Sequence, residues 1–528
     1  MCQEMCHEYP DRKTVMKKKL PIGIQTFREI REDNCYYVDK TPFALKLIEQ
    51  GKYYFLSRPR RFGKSLFLDT LKELFEGNEP LFRGLYCHDQ WDWQVKYPVI
   101  RISFGGGVLG SRKELEESLH QQLTCHEQKA GLQPAFPDMR SRFISLIQHL
   151  CTQTGQRVVI LVDEYDKPIL DRIEQPEIAL EIREGLKDFY SVIKDSDACV
   201  KFAFLTGVSK FSKVSLFSGL NNLEDITISS TYSSICGYTD ADVDTVFAPE
   251  LEGLDRDEIR IWYNGYNWTG EAVYNPFDLL LLFRERQFRP FWFETGTPTF
   301  LIKLLSERQQ HTPDLSRIMA PESLLSTFDV GNIPTEALMF QAGYLTIDSF
   351  RYLPGRLELT LRYPNLEVQA SLNDSLLQAL SKDPMVPARN ISRLYDILQV
   401  NDIPALQELF HSFYASIPHD WYRKNQLENY EGYYASIFYS YFASLGLDIR
   451  VEDSTNKGRI DMTVLFNNHI WLFEFKVVEM VPKGKALDQL KQKGYAEKYR
   501  ALNQPIHLIG VEFSRDSRNI VGFEVEDG

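Results

Sequence analysis

The chain has 528 residues, 43% of them hydrophobic and 25% charged, enough for three or four folded units at roughly 150 residues each and too apolar for a disordered chain. With 60 basic against 73 acidic residues the net charge is −13. That excludes a protein-wide basic field, so any contact with nucleic acid must come from a local patch. The longest apolar runs, such as 158–162 and 279–283, fall far short of the ~20 residues a membrane-spanning helix needs.

Residues 1–19 read as a polar leader without the apolar core of a secretory signal. Eight cysteines (2, 6, 35, 87, 125, 151, 199 and 236) include no CxxC pair, which suits thiols in a reducing compartment; the expected location is cytoplasmic. From 20 to 235, β-rich runs alternate with amphipathic helical stretches, an α/β pattern with strands expected at 53–57, 98–104, 157–163, 201–206 and 225–229. Most are continuous apolar runs, as in a parallel sheet covered on both faces. Residues 236–320 read as a helical lid region rich in aromatics. The stretch 321–370, with two alternating segments around Pro354-Gly355, reads as winged-helix-like. A helical connector over 371–418 leads to a second α/β unit at 419–528.

The expected strand 53–57 runs into Arg58-Pro59-Arg60-Arg61-Phe62-Gly63-Lys64-Ser65 and then a helical run. Strand, loop, Gly-Lys-Ser and helix is the order of a phosphate-binding loop: backbone amides and a helix N-terminus wrap the phosphates, the lysine reaches the terminal oxygens, and the hydroxyl holds Mg²⁺. Arg58 stands where the motif's first glycine belongs. Lys52, Arg58, Arg60, Arg61 and Lys64 give residues 51–68 five cations and no acid, a composition suited to polyphosphate. Arg60 and Arg61 also fit a solvated surface or contact with a neighbouring subunit in a homo-oligomer. A buried-strand pattern ends in Asp163-Glu164, which places Asp163 to orient metal-bound water and Glu164 to polarise the attacking water. Thr206, closing another apolar strand, can set a hydroxyl beside the terminal phosphate, although a plain Thr-Gly turn explains it equally well.

Near the C-terminus, Asp461 lies in one strand-like segment and Glu474-Phe475-Lys476 in the next. Side chains alternate along a strand, so Glu474 and Lys476 share a face, and hairpin pairing brings Asp461 beside them. Two carboxylates and a lysine there suit Mg²⁺ or Mn²⁺ and phosphodiester hydrolysis. Glu431, opening a helical run, is a candidate third carboxylate. Gln489 and Lys493 lie four apart on a later helix, where 483–500 carries six cations and two acids; a phosphate-binding face and a solvated amphipathic helix explain that charge about equally.

Leu20-Pro21-Ile22-Gly23, Tyr37-Val38-Asp39-Lys40-Thr41, the 58–65 loop, Val162-Asp163-Glu164-Tyr165-Asp166-Lys167-Pro168 and Thr206-Gly207-Val208-Ser209-Lys210 together resemble the AAA-ATPase-like family. Gly458-Arg459-Ile460-Asp461, Glu474-Phe475-Lys476, Ala486-Leu487-Asp488-Gln489 and Lys493-Gly494-Tyr495 resemble the PD-(D/E)XK nuclease domain fused to it, with Ile460 in place of the proline. The resemblance implies an additional-strand P-loop sheet and an αβββαβ nuclease core, and the family itself carries arginine at the position of Arg58. The function expected is an ATP-binding, ATP-hydrolysing enzyme controlling a Mg²⁺-dependent nuclease that acts on nucleic acid, DNA first. Its rival is an ATP-dependent switch or assembly protein whose nuclease fold binds nucleic acid without cleaving it.

Overall fold

Tyr53–Ser57 forms β1, and all five residues are buried, as a strand covered on both faces requires. A computed structural model describes residues 17–210, 216–217, 220, 222–296, 301–302, 304–305, 315–326, 334–381, 383–416, 431–479 and 481–528. After β1 the chain turns at Gly63, whose φ of +94° suits glycine, into α1 (Lys64–Phe75). β2 (Val99–Ser103), α2 (Arg112–Ala130), α3 (Met139–Thr154), β3 (Val158–Asp163), α4 (Pro176–Asp195), β4 (Val200–Gly207) and β5 (Glu224–Asp225) follow. The strands form one parallel sheet in the order β2-β3-β4-β1-β5. β4 therefore lies between the strand before the phosphate loop and the strand ending in Asp163, the additional-strand arrangement. Register sets Ser57 beside Gly207 and Ser103 beside Asp163. The polar ends of four strands thus share the carboxyl edge of the sheet, where open parallel sheets bind ligands.

Two departures have local causes. The last strand, expected over 225–229, ends at Asp225 because the Thr227 carbonyl accepts from the Arg58 guanidinium at 3.0 Å and the Thr227 hydroxyl accepts from the Ser57 amide at 3.0 Å. The end of the expected leader already belongs to the fold. Lys17 pairs with Glu250 at 2.9 Å, and the Lys19 carbonyl accepts from the Tyr36 amide at 3.0 Å.

The helices α5 (Asp240–Val246), α6 (Arg256–Tyr263), α7 (Pro276–Glu285) and α8 (Phe291–Gly296) lead to β6 (Ile318–Pro321), α9 (Glu322–Ser326), α10 (Thr335–Ala342), β7 (Thr346–Leu353) and β8 (Arg356–Arg362). The order β6-β8-β7, antiparallel with two helices between β6 and β7, is winged-helix topology. β6 has four residues, too few for alternation to reveal it in the sequence. Tyr344, Ile347, Leu359 and Leu361 join the same buried core as β1, so this sheet and the parallel sheet share one apolar interior.

α11 (Leu366–Leu380), α12 (Met385–Gln399) and α13 (Ile403–Ser416) precede the C-terminal unit: α14 (Glu431–Ser444), β9 (Asp448–Thr455), β10 (Gly458–Phe466), β11 (His469–Val478), α15 (Lys485–Lys493), β12 (Ile506–Ser514) and β13 (Ile520–Asp527). Its mixed sheet runs β13-β12-β11-β10-β9, with β11 and β12 parallel. That is the αβββαβ core with one further edge strand. α14 buries Tyr434, Ile437, Phe438, Tyr439, Tyr441 and Phe442, apolar around most of its circumference because α11 and α13 cover one side and the sheet the other. No helix among the described residues is long and apolar enough to cross a membrane.

Candidate functional site

A cavity of about 600 Å³ opens at the carboxyl edge of the parallel sheet, lined by Arg60, Arg61, Phe62, Gly63, Lys64, Ser65 and Glu164 on its polar side. Ile24, Val38, Tyr238, Phe277 and Leu280 supply an apolar side. A phosphate tail against the loop and a planar base against the apolar wall match this division. Lys64 is 6% exposed, and its ammonium donates to the Arg58 and Pro59 carbonyls at 2.9 and 2.8 Å. Burial lowers its pKa, and the Asp163 charge opposes that shift.

Arg58 does not meet the expectation of a phosphate ligand. It is wholly buried behind the loop, its guanidinium donating to the Ser57, Thr227 and Tyr232 carbonyls at 2.8, 3.0 and 3.1 Å and lying 4.0 Å over the Trp268 ring. Burial brings its pKa down to about 10. The side chain ties the loop to the segment 227–232, which frees the loop from needing a glycine there. Phe62 likewise turns its ring into the core against Tyr266 and Trp268, at 4.7 and 5.6 Å. Arg61, at φ +68°, lies 3.9 Å over the Phe277 ring.

Asp163 is 3% exposed and accepts from the Thr206 hydroxyl at 2.8 Å. Thr206 is fully buried, and its hydroxyl orients Asp163. Glu164 adopts φ +55°, a conformation disfavoured for a side chain with a Cβ, and that twist turns it into the cavity. Burial and the Asp163 charge hold its carboxyl above the usual range. Sequence reasoning assigned no role to Asp166, fully buried and accepting from the Ser209 amide and hydroxyl at 2.7 and 2.6 Å, nor to Arg101, which pairs with Asp69 at 2.8 Å and lies 3.8 Å from Asp163. The only available signal for the apolar wall was the pair of family-like segments at 20–23 and 37–41.

In the C-terminal sheet, Met462 and Phe473 form the last paired rung of β10 and β11, and Asp461 and Glu474 are the residues next to it on the two strands. Asp461 Oδ2 accepts from the Phe475 amide at 2.8 Å. Glu474 is fully buried; Lys476 Nζ lies 3.1 Å from its Oε1, and the Gln489 amide of α15 donates to the same oxygen. Asp461, Glu474, Lys476 and Gln489 therefore converge on one face. Tyr495, to which the sequence assigned no role of its own, joins them: it is 2% exposed, and burial with the Glu474 charge raises its phenol pKa. A Cβ at Gly458 would lie 2.6 Å from the Tyr495 hydroxyl, so glycine is needed there. The Glu431 side chain lies outside the described residues. Of the cations over 483–500, Lys491 pairs with Glu526 at 2.7 Å and Lys498 with Asp453, which thins the expected basic patch.

Two carboxylates beside an ammonium form a hard-oxygen donor set that suits Mg²⁺ or Mn²⁺ rather than a soft metal. Among the described residues no cluster of three or more His, Cys, Asp or Glu side chains is placed to hold a metal.

A family model described as "Predicted AAA-ATPase" matches residues 21–217, and one described as "PD-(D/E)XK nuclease superfamily" matches residues 429–523. An Azotobacter chroococcum mcd 1 protein described as "Uncharacterized protein in vnfD 5'region" is 66% identical over 511 residues, covering 97% of this chain and 99% of the relative. No solved structure matches. With residues 21–217 matched around the 58–65 loop and Asp163-Glu164, and residues 429–523 around Asp461 and Glu474, the chain belongs to the AAA-ATPase-like family and carries a C-terminal domain of the PD-(D/E)XK nuclease superfamily.

Proposed function

We propose that the protein is an ATP-hydrolysing switch controlling a metal-dependent nuclease that cleaves nucleic-acid phosphodiesters, DNA in the first instance. The observation that carries the nuclease half is the meeting of Asp461, Glu474, Lys476 and Gln489 on one face of β10, β11 and α15. Asp461 and Glu474 would hold a divalent ion, which when bound supplies an acidified water and neutralises charge on the phosphodiester. Lys476, steered by Glu474, orients the water toward phosphorus, and Gln489 fixes the Glu474 carboxylate. At the other site Lys64 leaves its loop carbonyls for the terminal phosphates, Ser65 and Asp163 would hold Mg²⁺, and Glu164 takes the proton from the attacking water. Arg60 and Arg61 add positive charge at the cavity mouth.

A second reading, nucleic-acid binding without cleavage, is favoured by one observation: the described donors at the C-terminal site number two carboxylates. Asp461→Asn decides between them. It keeps the hydrogen bond to the Phe475 amide but removes a negative ligand, so plasmid cleavage in Mg²⁺ or Mn²⁺ is expected to fall by about 100-fold or more, with ATPase activity unchanged. Parent protein that binds DNA yet leaves it intact would favour the second reading, and undiminished cleavage by the variant would refute the site.

A further inference from the structure

We infer that Trp292 is a positioning residue for the nucleotide loop and that, with Glu367, it ties the loop to the helix on which the C-terminal domain is mounted. The inference rests on the nucleotide-binding reading above and names how that site is coupled to the other. A short chain of hydrogen bonds carries it. The Trp292 indole Nε1 donates to the Arg60 carbonyl, within the loop, at 3.1 Å. The Trp292 and Phe293 amides donate to Glu367 Oε1 at 2.9 and 3.2 Å. Glu367 opens α11 and is fully buried. α11 then crosses from one core to the other: Val368, Leu372 and Leu376 belong to the apolar interior shared with β1, while Leu377 belongs to that of the C-terminal unit.

On its far side α11 is fastened to α14 by polar bonds in an apolar setting. The Ser440 hydroxyl donates to Asn373 Oδ1 at 2.8 Å, and the Gln369 amide donates to the Tyr439 hydroxyl at 3.2 Å. Phe438, the next residue on α14, sets its ring 5.3 Å from that of Phe475, the residue between Glu474 and Lys476. A second strand of contacts reaches the same hub. Arg61 stacks on Phe277, and the adjacent Asp278 is buried beside Glu367, which together with burial drives the Asp278 carboxyl pKa upward. Arg60 and Arg61 thus touch elements that meet at Glu367.

A ligand that repositions the loop carbonyls, as release of Lys64 from Arg58 and Pro59 would, must keep or break the indole bond to Arg60. Close-packed interiors pass such a displacement on rather than absorbing it.

The test is amide hydrogen exchange of the full chain with and without a non-hydrolysable ATP analogue and Mg²⁺. In the parent, nucleotide is expected to slow exchange over 58–66 and also over 366–380, by roughly the two- to tenfold that one hydrogen bond is worth. Trp292→Phe keeps an aromatic ring but not the indole N–H. Trp292 is buried, so the variant is compared with the parent at saturating analogue, where it is expected to keep the protection over 58–66 and to lose it over 366–380. A variant that keeps the 366–380 response overturns the inference. So does a parent that binds nucleotide with no change over 366–380, a result that needs no variant to fold and leaves the nucleotide site standing. Absence of binding to the parent overturns the nucleotide reading and the coupling with it.

Discussion

Lys64, Glu164 and Asp461 carry the most specific expectations at the scale of single residues. Lys64→Ala removes a buried ammonium aimed at phosphate, and loss of charge-assisted bonds worth about 1.5–3 kcal/mol predicts nucleotide binding weaker by roughly 10- to 100-fold in a calorimetric titration. Glu164→Gln should leave binding intact and lower the hydrolysis rate by about 10²–10⁴-fold. Because the folded Glu164 pKa is raised, its basic form is lost on acidification at a higher pH than for an ordinary glutamate; the acid limb of the hydrolysis profile should sit there and vanish in the variant. The stability sign runs the other way: a carboxyl easier to protonate when folded subtracts stability at neutral pH, and the loss is relieved as pH falls from the raised value toward the unfolded one. The C-terminal residues were legible in sequence because strand alternation fixes which side chains share a face. Arg58 and Thr206 were not, since spacing places a residue in a loop or at a strand end without saying that its side chain turns back toward carbonyls or a neighbouring carboxylate.

At the scale of elements, the loop, α1 and the segment 227–232 stand or fall with Arg58. Arg58→Gly restores the usual glycine of a phosphate loop, yet it orphans three buried carbonyls and removes the cation over Trp268. At about 1 kcal/mol or more per lost bond, the expected loss is about 3 kcal/mol, which for a domain near 200 residues lowers Tm by roughly 6–12 °C without improving nucleotide affinity. Thermal scanning calorimetry checks it; an unchanged Tm would mean that Arg58 is not a strut. Continuous apolar runs made four strands of the parallel sheet readable to within a residue or so at each end. β5 ended early because side-chain bonds from Arg58 and Ser57 took over its backbone, and β6 and β13 escaped notice as edge strands whose short or partly exposed pattern carries little signal.

At the scale of the whole molecule, the sequence suggests separate units, whereas packing joins them. The winged-helix-like sheet shares the interior of the parallel sheet, and α11 spans that interior and the next. Such merging is invisible to pattern reading, which reports what each segment buries and not against what. It also gives the nucleotide cavity a physical route to Glu474, so that occupancy of one site should alter work at the other. Cleavage of plasmid DNA in Mg²⁺ by the parent and by Lys64→Ala, each with and without ATP, tests this most directly. Cleavage that changes with ATP in the parent and ignores ATP in the variant is the predicted result; cleavage by the parent at one rate, whether or not ATP is present, would contradict it.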